Sequence, residues 1–196
     1  MTNLMDRDSS FALPVSDAST PFALPVSYSD VNFDYNTCMG TEIERKYLVK
    51  NDGWRAGPPG KPYRQGYLIS DGARTVRVRR AGDQCYLTIK GPAVGIARAE
   101  YEYEIPGADA DAILASLTVG ALVDKVRHRR PHAGLVWEVD EFLGDNAGLI
   151  VAEVELTDSD QSVPLPDWVG EEVTADPRYS NAALSRHPFR SWGRAI

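Results

Sequence analysis

Cysteine is nearly absent: the 196 residues hold two, Cys38 and Cys85. Two cysteines cannot build a disulfide framework, and their spacing fits no zinc motif. Cys85 falls in a predicted strand and reads as a buried or half-buried thiol. Long apolar runs are missing too, so no segment predicts a membrane-spanning helix. The N-terminus has no basic stretch followed by an apolar one, so no secretory signal is expected. Positive charge is in deficit, with 21 Lys and Arg against 28 Asp and Glu and a formal net charge of -7. A general nucleic-acid binder needs a basic surface, so no nucleic-acid partner is expected. These absences predict a cytoplasmic protein without a membrane partner.

The chain divides by composition. Residues 1–38 are rich in Ser, Asp, Pro and Ala, with no Lys and with Arg7 as the sole Arg. Phe-Ala-Leu-Pro-Val-Ser occurs at Phe11–Ser16 and again at Phe22–Ser27. Two copies do not make a repeat architecture. This segment is expected to be a disordered tail, with Met39 an alternative translation start. Residues 39–190 are expected to form one domain, and 191–196 a short C-terminal tail.

From Thr41 onward period-two alternation dominates. Strands are expected at Thr41–Val49, Arg64–Ser70, Arg74–Arg80, Cys85–Lys90, Ala97–Ile105, Ala121–Arg130, Leu135–Phe142 and Leu149–Thr157. A weaker one is expected at Trp168–Thr174. Asp71-Gly72, Ala81-Gly82-Asp83 and Asp145–Gly148 supply turns. Gly53–Pro62 reads as a loop. Asp109–Leu117 is the best helix, with Ile113, Leu114 and Leu117 at helical spacing. Pro177–Leu184 suggests a second, short helix opened by its proline. About eight strands at hairpin spacing predict a mainly β fold with a few peripheral helices. A closed eight-stranded antiparallel barrel would remove the sheet edges; an open two-sheet arrangement is the alternative.

Glu42-Ile43-Glu44-Arg45-Lys46-Tyr47 carries the chemistry. On a strand Glu42, Glu44 and Lys46 share one face. Alone, that is also what a solvated face looks like. The other strands repeat the pattern with segregated signs. Arg77 and Arg79 share a face, as do Lys125, Arg127 and Arg129. Arg98, Glu100, Glu102 and Glu104 form a mixed set. Glu138 and Asp140 pair on one strand, and Glu153 and Glu155 on another. Lys90 ends its strand. Such faces carry few neutral polar residues, and exposed ion pairs stabilise by only about 0–1 kcal/mol each. A water-filled, charged barrel interior explains them better than a salt-bridged surface. Carboxylates suit a hard divalent cation, and Arg suits a multiply charged phosphate.

Glu42-x-Glu44-x-Lys46 resembles the ExExK motif of the CYTH domain, the triphosphate tunnel metalloenzymes. Gln65–Leu68, Thr75–Arg79, Leu87–Gly91, Arg98–Ile105, Lys125–Arg127, Trp137–Asp140, Ala152–Leu156, Glu172–Thr174 and Arg178–Asn181 follow in the family's order. The resemblance runs over roughly Gly40 to Pro188 and is greatest to the bacterial inorganic triphosphatases. It implies a tunnel that hydrolyses a triphosphate with Mg²⁺ or Mn²⁺. Carried over residue by residue, Glu42, Glu44, Glu153 and Glu155 would bind metal, supported by Glu138 and Asp140. Lys46, Arg77, Arg79, Lys90, Arg98, Lys125 and Arg127 would grip phosphate. Glu102, Asp140 and Lys125 are the catalytic candidates, with Glu102 or Asp140 taking the proton from water and Glu100 less secure. Arg129 and Glu104 would be structural, and Tyr67 either packs or approaches the tunnel mouth.

No covalent intermediate is required, because Ser, Cys and His are absent from the inferred face. His128, His132 and His187 are expected on surfaces or loops. An adenylate cyclase, or a nucleoside or thiamine triphosphatase, is the alternative on the same fold. A non-catalytic polyphosphate or nucleotide binder is the alternative outside enzymes. The expected partner is a small triphosphate, and a homodimer is left open.

Overall fold

The computed structural model describes residues 40–193. The expected N-terminal tail, Met39 and Cys38 lie outside the described residues. Among these residues, nine strands and two α-helices follow one another in the order β1 (Gly40–Val49), β2 (Lys61–Ser70), β3 (Thr75–Ala81), β4 (Gln84–Lys90), β5 (Ala97–Glu104), α1 (Gly107–Ser116), β6 (Val119–His132), β7 (Leu135–Phe142), β8 (Ile150–Glu155), β9 (Val169–Glu172) and α2 (Asn181–Arg186). Every pairing is antiparallel, in the order β5-β4-β3-β2-β6-β7-β8-β1, and β5 bonds back to β1. Eight strands thus close a barrel, and the open two-sheet alternative falls away.

β1 is the closing strand. Glu44–Leu48 pair with β8 along one edge. Along the other edge Gly40–Ile43 pair with β5, and Tyr47 and Val49 pair with β9. β9 is the weak strand expected at Trp168–Thr174. It covers the end of β1 that β5 leaves unpaired, where the Thr174 hydroxyl accepts from the Lys46 amide at 3.0 Å. The backbone of the ExExK strand is therefore satisfied along its length.

Alternation decides which face goes where. Apolar residues are buried in three patches, two on the outer face of the barrel and one inside its α2 end. The largest joins β1, β7, β8 and β9 through Tyr47, Trp137, Val139, Val154 and Trp168. Trp137 meets Tyr47 and Trp168 edge to face, at centroid distances of 5.4 and 5.7 Å. Trp54 joins the same cluster from a short 3-10 turn, Asp52–Arg55, capped by the Asn51 side chain. The expected Gly53–Pro62 loop is thus partly ordered, because a buried Trp anchors it.

The second patch seats α2: Leu184 packs against Val123, Phe142, Leu149 and Val151. Gly120 makes that approach close. It has φ +76°, and a Cβ there would sit 2.9 Å from the Ser185 carbonyl oxygen. The third patch holds α1 on β3 and β4 through Val78, Cys85, Ala110 and Leu114. Leu117 had been expected on the buried face of α1. It follows the helix and is exposed, and the i, i+4 pair Ala110 and Leu114 does the packing instead. The expected Pro177–Leu184 helix is split. Pro177–Tyr179 form a 3-10 turn, then Ser180 caps α2 by accepting from the Ala183 amide.

No helix among the described residues is long and apolar enough to cross a membrane.

Candidate active site

Beyond the α2 end, where Val123, Phe142 and Val151 hold the inner face, the charged faces meet inside. Glu42, Glu44, Lys46, Arg77, Arg79, Lys90, Arg98, Glu102, Arg127, Glu138, Glu153 and Glu155 all line one cavity of about 240 Å³. Strand order sorts their signs. β7, β8, β1 and β5 are neighbours and carry the carboxylates, while β4, β3 and β6, with β2 between them, carry most of the cations. An acidic half-barrel faces a basic one, with Lys46 and Arg98 as cations on the acidic side.

Ion pairs between neighbouring and next-neighbouring strands tie the inner wall together. Glu42 accepts from Lys90 at 2.7 Å and from Arg98 at 2.6 Å. Burial disfavours its charge, yet those two cations hold its pKa down to about 2. Lys46 bonds Glu153 at 2.6 Å and contacts Glu44 at 2.8 Å. Burial works against the ammonium, but Glu153 and Glu44 raise its pKa above the usual lysine value. Glu153 also accepts from Arg127 at 2.6 Å. Its pKa is lowered well below the carboxylate range, since Lys46, Arg127 and Lys125 outweigh its burial. Glu102 takes Arg79 at 2.8 Å and the Thr88 hydroxyl at 2.7 Å, with Arg77 at 3.4 Å.

Asp140 and Lys125 stand behind this wall. Asp140 is fully buried and accepts from Arg127 at 2.7 and 2.6 Å, and from Lys125 as well. Burial and the Arg127 charge push the Lys125 ammonium down to about 8, against the pull of Asp140. Lys125 reaches Asn181 Oδ1 of α2 at 3.3 Å. These two groups prop Arg127 and tie α2 to the barrel, whereas Glu102 fronts the cavity.

Glu155 stands apart. Its partial burial and the carboxylates Glu138, Glu42, Glu44 and Glu100 raise its pKa. Among the described residues no three carboxylates, histidines or cysteines form a closed coordination set. The donors nevertheless fit a hard divalent cation. They are oxygens, they come from three adjacent strands, and a cation at that wall would relieve the like charges around Glu155.

Sequence reasoning missed several neutral members of the wall. Thr88, buried on β4, accepts from Arg77 at 3.0 Å and donates to Glu102. Gln65 is fully buried, and its amide donates to the Tyr67 hydroxyl at 3.4 Å. Both share strand parity with charged or named neighbours, which was the available signal. Ser180, Asn181 and Ala182 close one end of the cavity. Their position depends on the return of the chain after β9, which no local pattern carries. Ser180 corrects the expectation that serine is absent, but its hydroxyl is engaged in capping α2 and bonds Pro177 O at 2.9 Å. Tyr67 is buried and lines the cavity, with its pKa raised by burial. Arg129 projects to solvent near Glu138, at 3.6 Å. His132 and His187 are exposed as expected. His128 departs from expectation: it lies on β6, half-buried, edge-on to Trp54 at 4.9 Å.

A family model of the CYTH domain matches residues 40–185. An inorganic triphosphatase of Acetivibrio thermocellus is 47% identical over 154 residues, spanning 79% of this chain and 99% of that protein. An inorganic triphosphatase of Nitrosomonas europaea is 37% identical over 153 residues, spanning 74% of this chain and 97% of that one. Among solved structures, the crystal structure of an inorganic triphosphatase superposes with TM-score 0.56 at 35% identity, covering 76% of this chain and 96% of that one. A putative adenylate cyclase from Bacillus halodurans gives TM-score 0.51 at 18% identity, covering 62% and 84%, a likeness of fold alone. The register, the two charged half-barrels and these matches agree: the chain belongs to the CYTH domain family.

Proposed function

We propose that this protein hydrolyses inorganic triphosphate to pyrophosphate and phosphate inside its barrel, using Mg²⁺ or Mn²⁺. The observation that carries this reading is the division of the lumen into an acidic and a basic half. A metal-bridged polyphosphate needs both at once: cations for its oxygens, and carboxylates for the metal. The names of the two relatives support the choice of inorganic triphosphate.

In this reading Glu42, Glu44, Glu153 and Glu155 hold the metal, with Glu138 beside them. The metal supplies neutralisation of phosphate charge. Lys46, Arg77, Arg79, Lys90, Arg98 and Arg127 bind phosphate oxygens in exchange for their present carboxylate partners. Such exchange is reasonable because Arg and Lys bond both groups with the same donors. Water attacks the terminal phosphorus, the bond from that phosphorus to its bridging oxygen breaks, and pyrophosphate leaves. Glu102, which fronts the cavity, accepts the water proton. Asp140 and Lys125 support the reaction by holding Arg127 in place.

The test is phosphate release from tripolyphosphate with Mg²⁺ or Mn²⁺, beside ATP and thiamine triphosphate, with products separated by chromatography. Glu42→Ala, Lys46→Ala and Glu153→Ala should each abolish it. A cyclic nucleotide product with tripolyphosphate untouched would overturn the proposal, as would tight binding without turnover at saturating metal.

A further inference from the structure

Arg77 and Arg79 are the least tied arginines of the cavity wall. Arg127 is gripped by Asp140, Glu138 and Glu153, whereas Arg77 reaches Thr88 and Glu102 through one terminal nitrogen and its buried Nε has no hydrogen-bond partner among the described residues. Arg79 bonds Glu102 through one terminal nitrogen, at 2.8 and 2.9 Å, and its buried Nε has no hydrogen-bond partner among the described residues. Burial and the neighbouring charges of Arg77 and Arg127 work against its own charge. A guanidinium on one bonded nitrogen, pushed by two like charges, needs another restraint to keep its plane.

Two tyrosines supply it. β2 and β4 turn Tyr63 and Tyr86 to the lumen side, at the end of the barrel away from α2. Arg186 of α2 bonds the carbonyl of Ser70, at the opposite end of β2 from Tyr63. The Arg79 guanidinium carbon lies 5.4 Å from the Tyr63 ring centroid and 5.5 Å from that of Tyr86. The Tyr63 ring also meets Arg127, at 5.4 Å. One aromatic ring therefore faces two guanidinium groups that repel each other. The electron-rich ring face attracts both cations and is worth more where water is thin.

We propose that Tyr63, with Tyr86, is a positioning residue that holds Arg79 in register with Arg127 for the phosphate chain. The proposal rests on the triphosphatase reading above and adds residues which that reading leaves without a role. The aromatic face does this work, and the phenol hydroxyl is dispensable. Tyr63 matters more than Tyr86, because it touches both arginines.

The experiment is titration calorimetry of tripolyphosphate into wild type, Tyr63→Leu, Tyr63→Phe and Tyr86→Leu in chelator-treated buffer, beside kcat and KM with Mg²⁺. Tyr63→Leu should weaken binding and raise KM about tenfold, with kcat changed less. Tyr63→Phe should restore binding to within about twofold of wild type, and Tyr86→Leu should lose about threefold. If Tyr63→Leu does not fold, Tyr86→Leu beside wild type carries the test. Unchanged binding and KM in the leucine variants of an active enzyme overturn the proposal. So does a Tyr63→Phe variant as weak as Tyr63→Leu, which would assign the effect to the hydroxyl. Wild type that neither binds nor cleaves tripolyphosphate instead sinks the triphosphatase reading itself.

Discussion

On β7, Trp137 and Val139 face outward and are fully buried among aromatic and aliphatic side chains, while Glu138 and Asp140 alternate with them and face inward. β8 does the same with Val154 outside and Glu153 inside. Over this charged length the usual arrangement of a small barrel, with apolar side chains filling the lumen, is inverted, while the α2 end keeps it through Val123, Phe142 and Val151. Stability must then come from the outer wall, because burying ions is unfavourable unless each finds a partner. The inner wall meets that condition by pairing acid with base between neighbouring and next-neighbouring strands, as Glu42 does with Arg98 and Lys90. Such pairs hold the side chains in place while adding little net stability. The two faces of one strand therefore answer to different demands, and substitutions on them should separate cleanly.

The strongest test of that division is Trp137→Ala. Removing a fully buried Trp from the largest cluster should lower unfolding stability by about 3–5 kcal/mol in urea titrations. The folded fraction should keep its kcat on tripolyphosphate within about threefold, since the residue never meets the lumen. Loss of kcat without loss of stability would break the division. Glu153→Ala, one position away in register, should do the reverse. It frees Lys46 and Arg127 from a shared partner and takes a carboxylate from the metal side. Activity should fall by about 10²–10³-fold while the circular dichroism spectrum stays that of a β protein.

The division was legible where one residue type repeats with period two. Glu42, Glu44 and Lys46, or Glu153 and Glu155, announce a charged face because no alternating apolar face can mix with it. Strand order was not legible locally, since sign segregation by strand says nothing of which strands are neighbours. Only closure through β5 and β1 places the acidic strands side by side. Neutral residues were harder. Thr88 and Gln65 look like ordinary strand residues until burial shows them inside. Asp140 looked equivalent to Glu138, yet the shorter side chain stands behind Arg127 instead of in front of it. Trp54 was hidden by its Gly- and Pro-rich surroundings, which read as a loop although one large apolar side chain orders them.

A third substitution probes the seam between the walls, where α2 caps the lumen. Gly120→Ala forces a methyl toward the Ser185 carbonyl at 2.9 Å, from a backbone of positive φ. The methyl meets backbone, so α2 must shift. A loss of about 1–3 kcal/mol is expected, more than an exposed Gly→Ala change would give. Because Ser180–Ala182 line the lumen, KM for tripolyphosphate should rise alongside, a coupling that Trp137→Ala should lack. Measuring melting temperature and KM on one preparation distinguishes the two cases.

The smallest expected effect sharpens the outer wall alone. His128 alternates with Arg127 and Arg129 on β6, so it faces outward, against Trp54. Its charged neighbours are Arg130 and Arg55, which oppose protonation, and Glu141, 3.7 Å away, which favours it. Burial is the largest part of the opposition, and the pKa lies below the ordinary 6.5. A histidine with a lowered folded-state pKa binds its proton more readily when unfolded. The stability due to the neutral ring is therefore fully present above about pH 6.5 and is lost as pH falls from there toward the folded value. Wild type should lose unfolding stability between pH 7.5 and 5.5 more steeply than His128→Gln, which cannot titrate. The carboxylates of the inner wall titrate in both proteins, so subtracting the two curves removes them. Parallel curves would show that the Trp54 anchor tolerates a charged imidazole, and that the outer wall is less sensitive to charge than its packing implies.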